Sequence, residues 1–379
     1  MENIYLIVIG IIFVIFYFCF SKKKVKNSNQ LKYFLCERYK NKSNHVFAKI
    51  LEENNIQRTH SGDWDIFFPC GYNFNEMELY RLNMNFMKNY KNKYIFSING
   101  SDQIVGKIKL WNHLTKFYKI ELVTKIISES YDFNSIEQQQ QFEKNYQKGN
   151  IYVIKSKAQK QLGINITDNL EEIKKNYKIN NILVQHFISN QLLVKNYHFN
   201  IRVFVLVTFK QREMNIYLYD EGNIRYASEP FNSKKLTQES LITRGVSANK
   251  KIYDDKPFSI SDLKIYLKNK GLNYDKINEG IVNAIILIFN CIYYKIGNFK
   301  NIQEGLNFQL FGGDFMVTQD LNTYFLEFNK GPELGCVQGL DKECKMKQIL
   351  QRDILQLVGL DQTNFKSPYK FNKVFTKNK

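Results

Sequence analysis

The sequence predicts a mixed α/β (α+β) protein, and three observations carry that expectation. The runs FQLFGGDFMV and TYFLEF are apolar and aromatic enough to be strands, and Thr318 to Asn322 supplies polar turn residues between them, so this region reads as a hairpin. Ile281 to Ile296 is strongly apolar but short and interrupted by Asn283, Asn290 and Lys295, which points to a buried core helix rather than a membrane span. Met346, Ile349, Leu350, Ile354 and Leu357 recur at helical spacing, with Gly359 as the stop. At 379 residues the chain can bury a sizeable core divided among two or three domains.

From the N-terminus, Ile4 to Phe20 is an unbroken apolar run ending against Ser21 and the basic block Lys22, Lys23, Lys24 and Lys26. As a helix it would span about 25 Å, slightly short of a hydrocarbon core, which snorkelling lysines can offset. It reads as a retained membrane anchor, because Glu2 without a lysine and the lack of a small-residue cleavage site argue against a signal peptide. With the positive charges after the span, a single-pass protein facing the cytoplasm is expected. Asn27 to Arg58 is polar and charged, a stalk leading into the first helix, and Gln138 to Gln141 falls within a predicted helix.

Lys155 ends the apolar strand that starts IYVIK and precedes a polar loop containing Gly163, from which it could bring a point charge to a phosphate; a solvated lysine is the competing reading. Gln185, His186, Phe187 and Ile188 leave a strand, where backbone groups could bind adenine, as any strand end could. Arg202 and Arg225 each interrupt apolar or aromatic strand sequence and must find an anionic partner or reach solvent, so an anion clamp and a structural ion pair stand as alternatives. Strand alternation puts Glu327 and Asn329 on one face with Leu326 and Phe328 opposite, and Asp314 on the partner strand can join them. Two carboxylates and an amide suit Mg²⁺, set against the alternative of a surface hairpin with scattered polar residues. The basic tail from Lys366 is expected to be loose, and no internal repeat is visible.

The net charge of +18 favours acidic partners, whether polyacidic protein tails or anionic lipid, while AT-rich coding would give the same abundance of Lys, Asn and Ile. No basic helix with interleaved aromatics is present, so nucleic acid is not an expected partner. The six cysteines, Cys19, Cys36, Cys70, Cys291, Cys336 and Cys344, form no C-x-x-C pair, and the five histidines are dispersed. Free thiols in a reducing compartment fit best, and neither a zinc site nor a Cys-His nucleophile has sequence support.

The hairpin Gly312, Gly313, Asp314, then Glu327, Asn329 and Pro332, resembles the metal-binding end of the tubulin tyrosine ligase-like family. Further blocks resemble that family in its own order from about Ser61 to Leu360. They are the W-D segment GDWDIFFP, the block IVGKIKLWNHL with Lys107, the strand and loop around Lys155, the hinge and HFNIR strand of Val184 to Thr208, EGNIRYAS with Arg225, and LITRG with Thr243. The resemblance implies an ATP-grasp fold with segments 1–26 (anchor and basic flank), 27–125 (N-terminal), 126–210 (central), 211–365 (C-terminal) and 366–379 (tail). It implies ATP and Mg²⁺ as cofactors, with Asp314, Glu327 and Asn329 on the metal. Lys107, Lys155, Gln185, His186, Phe187, Ile188, His198, Asn200 and Thr243 would hold the nucleotide, and Arg202, Arg225 and Lys155 would act in catalysis. The implied reaction joins a free amino acid (glutamate, tyrosine or glycine) to a carboxylate of tubulin or another acidic protein tail. A non-catalytic nucleotide-binding tether is the alternative, because His198, Asn200 and Arg244 stand where the family commonly carries lysine, aspartate and asparagine.

Overall fold

The computed structural model describes residues 30–35, 44–70, 75–156, 164–232, 237–336, 339–361 and 370–378. The apolar run Ile4 to Phe20 and the loop glycine Gly163 lie outside them. The chain builds a ten-stranded sheet and a separate four-stranded one. The large sheet takes β1 (Lys32–Leu35), β2 (Gln57–Thr59), β3 (Ile66–Phe68) and β4 (Tyr94–Ile95), which pair in parallel. The small sheet contains β5 (Ser130–Asp132), β6 (Tyr152–Lys155), β7 (Ile164–Thr167) and β8 (Leu183–His186), in the order β5-β8-β6-β7. After β9 (Leu193–Val194) the chain returns to the large sheet through β10 (Tyr197–Lys210), β11 (Glu213–Tyr226), β12 (Leu306–Val317) and β13 (Thr323–Asn329), all antiparallel to their partners in this group.

Two elements differ from the sequence expectation. The stretch read as a stalk contributes β1 before the helix Asn44–Glu53. The basic tail, expected to be loose, forms β14 (Phe371–Asn378), an edge strand antiparallel to β11. Its sequence FNKVFTKN supplies backbone pairing while Lys373 stays exposed and the half-buried Lys377 finds Asn290 Oδ1 at 2.7 Å, so a charged strand can close a sheet edge without leaving a buried charge unpaired. The β10–β11 hairpin lies wholly in the large sheet.

Three side-chain sets fix the layers. The helix Tyr274–Ile292 buries Ile277, Ile281, Ala284, Ile285, Ile288 and Phe289, a stripe at helical spacing packed in one core with Phe311, Phe315 and Phe328 of the hairpin. Although long and apolar enough to cross a membrane by composition, this helix is a wall of that core. The opposite side of the large sheet is covered by the helices Asn44–Glu53 and Asp341–Leu357, through Phe47, Leu51, Leu350 and Ile354. The small sheet has its own core around Phe142, Tyr152 and Val184, roofed by the helix Ile136–Asn145.

The free-thiol expectation fails at three cysteines. Cys336 and Cys344 have Cα atoms 4.7 Å apart and are disulfide-bonded, and Cys70 is also in a disulfide. Cys291 is a buried free thiol.

Candidate functional site

The hairpin reading of Gly312 to Asn329 is realised in a specific register. Asp314 pairs directly with Glu327, Gly312 with Asn329, and across β10 Arg202 faces Asp314 on one side and Asn223 on the other. Asn200 faces Arg225. Because side chains alternate, Arg202, Asn200, Arg225, Asp314, Glu327 and Asn329 all belong to one face of four adjacent strands. A bulge after Asp314 breaks the alternation at Leu326, which lets Phe325 and Phe328 share the core with ring centroids 4.7 Å apart while Glu327 keeps its place.

Arg202 Nε and Nη2 donate to the two carboxylate oxygens of Asp314, each at 2.6 Å, in a buried bidentate pair. Arg225 Nη1 stands 3.6 Å from the same carboxylate, and its Nε has no partner among the described residues. Burial pushes the Asp314 carboxyl up, but the charges of Arg202 and Arg225 outweigh it and hold it below the usual carboxylate range. Burial, then repulsion from Arg202, push the Arg225 guanidinium down. Glu327 meets Lys107 at 3.2 Å, from the first residue of the helix Lys107–Phe117.

Lys155 ends β6 and donates to Gln185 Oε1 at 2.5 Å. Gln185 is itself fixed, its Nε2 donating to Ser130 Oγ (2.9 Å) and to the Ser128 carbonyl (3.1 Å). Burial and the charge of Lys107 lower the Lys155 ammonium to about 8, against the pull of Glu327. Lys107, Lys155, Gln185 and Glu327 line one cleft, with Trp111 and Phe328 among its apolar walls, where the small sheet meets the large.

The hinge is partly committed. His186 N–H donates to the Glu129 carbonyl and Phe187 N–H to the Ile151 carbonyl, both at 2.9 Å, while the Ile188 carbonyl accepts from Gln191. The Phe187 carbonyl and Ile188 N–H have no backbone partner among the described residues. His198 is 1% exposed, sits edge-on to Phe187 and Phe231, and has neither ring nitrogen paired among the described residues; burial lowers it to about 4. Asn200 Nδ2 donates to Thr243 Oγ1 at 2.6 Å, joining two of the expected nucleotide residues. Arg244 is half exposed beside Glu239, 3.9 Å away.

The donor set suits Mg²⁺ and a triphosphate. Two carboxylates and an amide oxygen occupy neighbouring register positions on one face; a hard dication commonly takes one or two carboxylates and completes its shell from phosphate and water. No group of three or more His, Cys, Asp or Glu side chains placed for a metal occurs among the described residues, so the amide and outside oxygens are required. Four cations, Lys107, Lys155, Arg202 and Arg225, surround two carboxylates, a surplus that an anion would neutralise. Sequence reasoning did not find the Gln185 side chain as the partner of Lys155, nor the Lys107–Glu327 pair, since the contacts join segments 30 and 220 residues apart.

Residues 68–366 match the sequence model of the Tubulin-tyrosine ligase family. Among similar proteins are a tubulin polyglutamylase of Caenorhabditis briggsae, 29% identical over 209 residues (52% of this chain, 33% of that protein). A mouse tubulin polyglutamylase is 30% identical over 197 residues (47% and 14%), and a tubulin glycylase of Tetrahymena thermophila is 29% identical over 201 residues (49% and 18%). The chain therefore spans a third or less of the length of each of these relatives.

Proposed function

The chain belongs to the tubulin-tyrosine ligase family, and from that premise we propose that it is an ATP- and Mg²⁺-dependent ligase joining an amino acid to a carboxylate of tubulin or of another acidic protein tail. The carrying observation is the single sheet face on which Arg202, Arg225, Asp314, Glu327 and Asn329 stand together, next to Lys155 and Lys107. Amide formation from a carboxylate requires activation, and ATP would supply it by phosphorylating that carboxylate, with Mg²⁺ neutralising phosphate charge. Glu327, Asn329 and the outer lone pairs of Asp314 would hold the metal. Lys155 and Lys107 would bind phosphate. Arg225, whose Nε–H is unpaired among the described residues, is the cation best able to receive the acceptor carboxylate, since Arg202 spends its Nε and Nη2 on Asp314. Preorganised cations stabilise developing charge without reorganising, which is where such sites gain most of their rate.

The donor amino acid in this reading is glutamate, glycine or tyrosine. The apolar run Ile4 to Phe20 would anchor the protein in a membrane with its ligase facing the cytoplasm. The test is transfer of labelled glutamate, glycine and tyrosine to tubulin by the full chain with ATP and Mg²⁺. Glu327→Gln is expected to lower transfer at least ~100-fold with an unchanged thermal transition. A folded Glu327→Gln protein that labels tubulin as the parent does would remove the metal assignment; ATP binding by the parent without transfer to any acidic protein would favour the tether.

A further inference from the structure

The strands β1, β3, β4 and β12 run parallel and begin at one edge of the large sheet, at Lys32, Ile66, Tyr94 and Leu306. The β10–β11 turn returns to that edge, since Phe209 pairs with Asn307 and Lys210 with Glu213. The helix Asn75–Met84 also ends there, and Met84, Phe86 and Met87 are left 49, 74 and 97% exposed. The turn bearing them is held firmly. Asn301 Nδ2 donates to the Asn83 and Asn85 carbonyls at 3.1 and 2.9 Å, and Lys88 bonds the Gly62 carbonyl while lying 3.5 Å over the Trp64 ring. Beside it, Lys91, Arg212 and Lys300 surround an open depression of about 450 Å³. Glu304 is the one acid among its lining residues.

The chain enters the fold at the same edge. Lys32 opens β1 and pairs with Asp63, adjacent to the Gly62 that holds Lys88. Only Ser21 to Asn29 separate the apolar run from the first described residue, and nine residues reach at most about 30 Å. Resting on the anchor reading of Ile4 to Phe20, we infer that this edge is a docking surface for an anionic phospholipid bilayer. Phe86 and Met87 enter the headgroup layer, and Lys91, Arg212 and Lys300 take lipid phosphates. Asp314 lies eight residues along β12 from Leu306, so the catalytic face stands about 26 Å from the membrane and open to an acceptor in solution.

The experiment uses the full chain reconstituted in vesicles of phosphatidylcholine, with or without phosphatidylserine, containing brominated lipid as a tryptophan quencher. Trp64 and Trp111 are both buried, so the signal of a Phe86→Trp protein above the parent reports residue 86. Quenching of Phe86→Trp with phosphatidylserine present is expected, with none for Ile136→Trp, an equally exposed site on the small sheet's helix. Adding Lys91→Glu, Arg212→Glu and Lys300→Glu should abolish the quenching while the protein still floats with vesicles. Flotation with every vesicle but no quenching at residue 86 overturns the docking surface and leaves the anchor standing. Quenching on phosphatidylserine vesicles without flotation on neutral ones supports the surface and removes the anchor. If the triple charge reversal instead abolishes microtubule co-sedimentation and residue 86 is never quenched, the edge is a protein-binding surface and the inference fails.

Discussion

Arg202 and Asp314 show how one residue limits the roles open to another. A carboxylate that accepts two N–H bonds from a buried guanidinium keeps only its outer lone pairs for a metal, so Glu327 and Asn329 carry more of any cation site than the sequence pattern alone conveys. Gly312 is the silent member of this arrangement, because a Cβ there would stand 2.7 Å from Arg202 Nη1. His198 differs in kind, being an imidazole in an aromatic pocket with both nitrogens unpaired among the described residues. Its folded value of about 4 lies below the ordinary 6.5, so the unfolded chain binds the proton more readily and the native state loses stability as pH falls from 6.5 through 4. Between pH 7.5 and 5 this residue should account for a loss of about 2 kcal/mol. Urea unfolding at the two pH values, compared between the parent and His198→Phe, should show the loss shrink by that amount in the variant; an identical loss in both would mean that His198 is not the titrating group.

At the scale of elements, the hairpin was legible because its evidence is local: two aromatic runs, a polar turn and alternation that sets Glu327 and Asn329 on one face. The closing helix Asp341–Leu357 was legible for the same reason, through apolar residues at helical spacing. The bulge after Asp314 was not legible, since it answers to the packing of Phe325 and Phe328 against the helix Tyr274–Ile292. That helix approaches β13 closely at Gly280, where a Cβ would meet Thr323 Oγ1 at 2.2 Å and Thr323 Cβ at 3.3 Å. Alanine in a helix interior normally gains up to ~1 kcal/mol over glycine, yet the overlap here should reverse the sign and cost about 1–2 kcal/mol net. Gly280→Ala combined with Thr323→Ala removes the nearest clash and should recover at least half of that cost, a coupling readable in a double-mutant cycle of thermal unfolding. Strict additivity would show that the helix can move away from β13 freely.

The whole molecule sets what no segment could reveal, the meeting of two sheets. Lys155 belongs to the small sheet and Glu327 to the large, and the cleft exists only because these units close on each other. The sequence marked Lys155 as a lysine at a strand end, with a solvated side chain as the rival reading. In the fold the side chain is held by Gln185, and burial, with the charge of Lys107 beside it, lowers the ammonium to about 8. A lysine at that value is a cation at pH 7 and mostly neutral at pH 9, so its contribution to binding a phosphate is present below 8 and fades above it. Because the triphosphate's own charge is settled above neutrality, nucleotide affinity measured by calorimetry with Mg²⁺ should weaken about tenfold between pH 7 and 9. In Lys155→Arg the guanidinium stays charged over that range, so whatever affinity the variant has should be nearly independent of pH. A parent protein whose affinity is equally flat would place the phosphates away from Lys155 and leave Lys107, Arg202 and Arg225 as the cations that bind them.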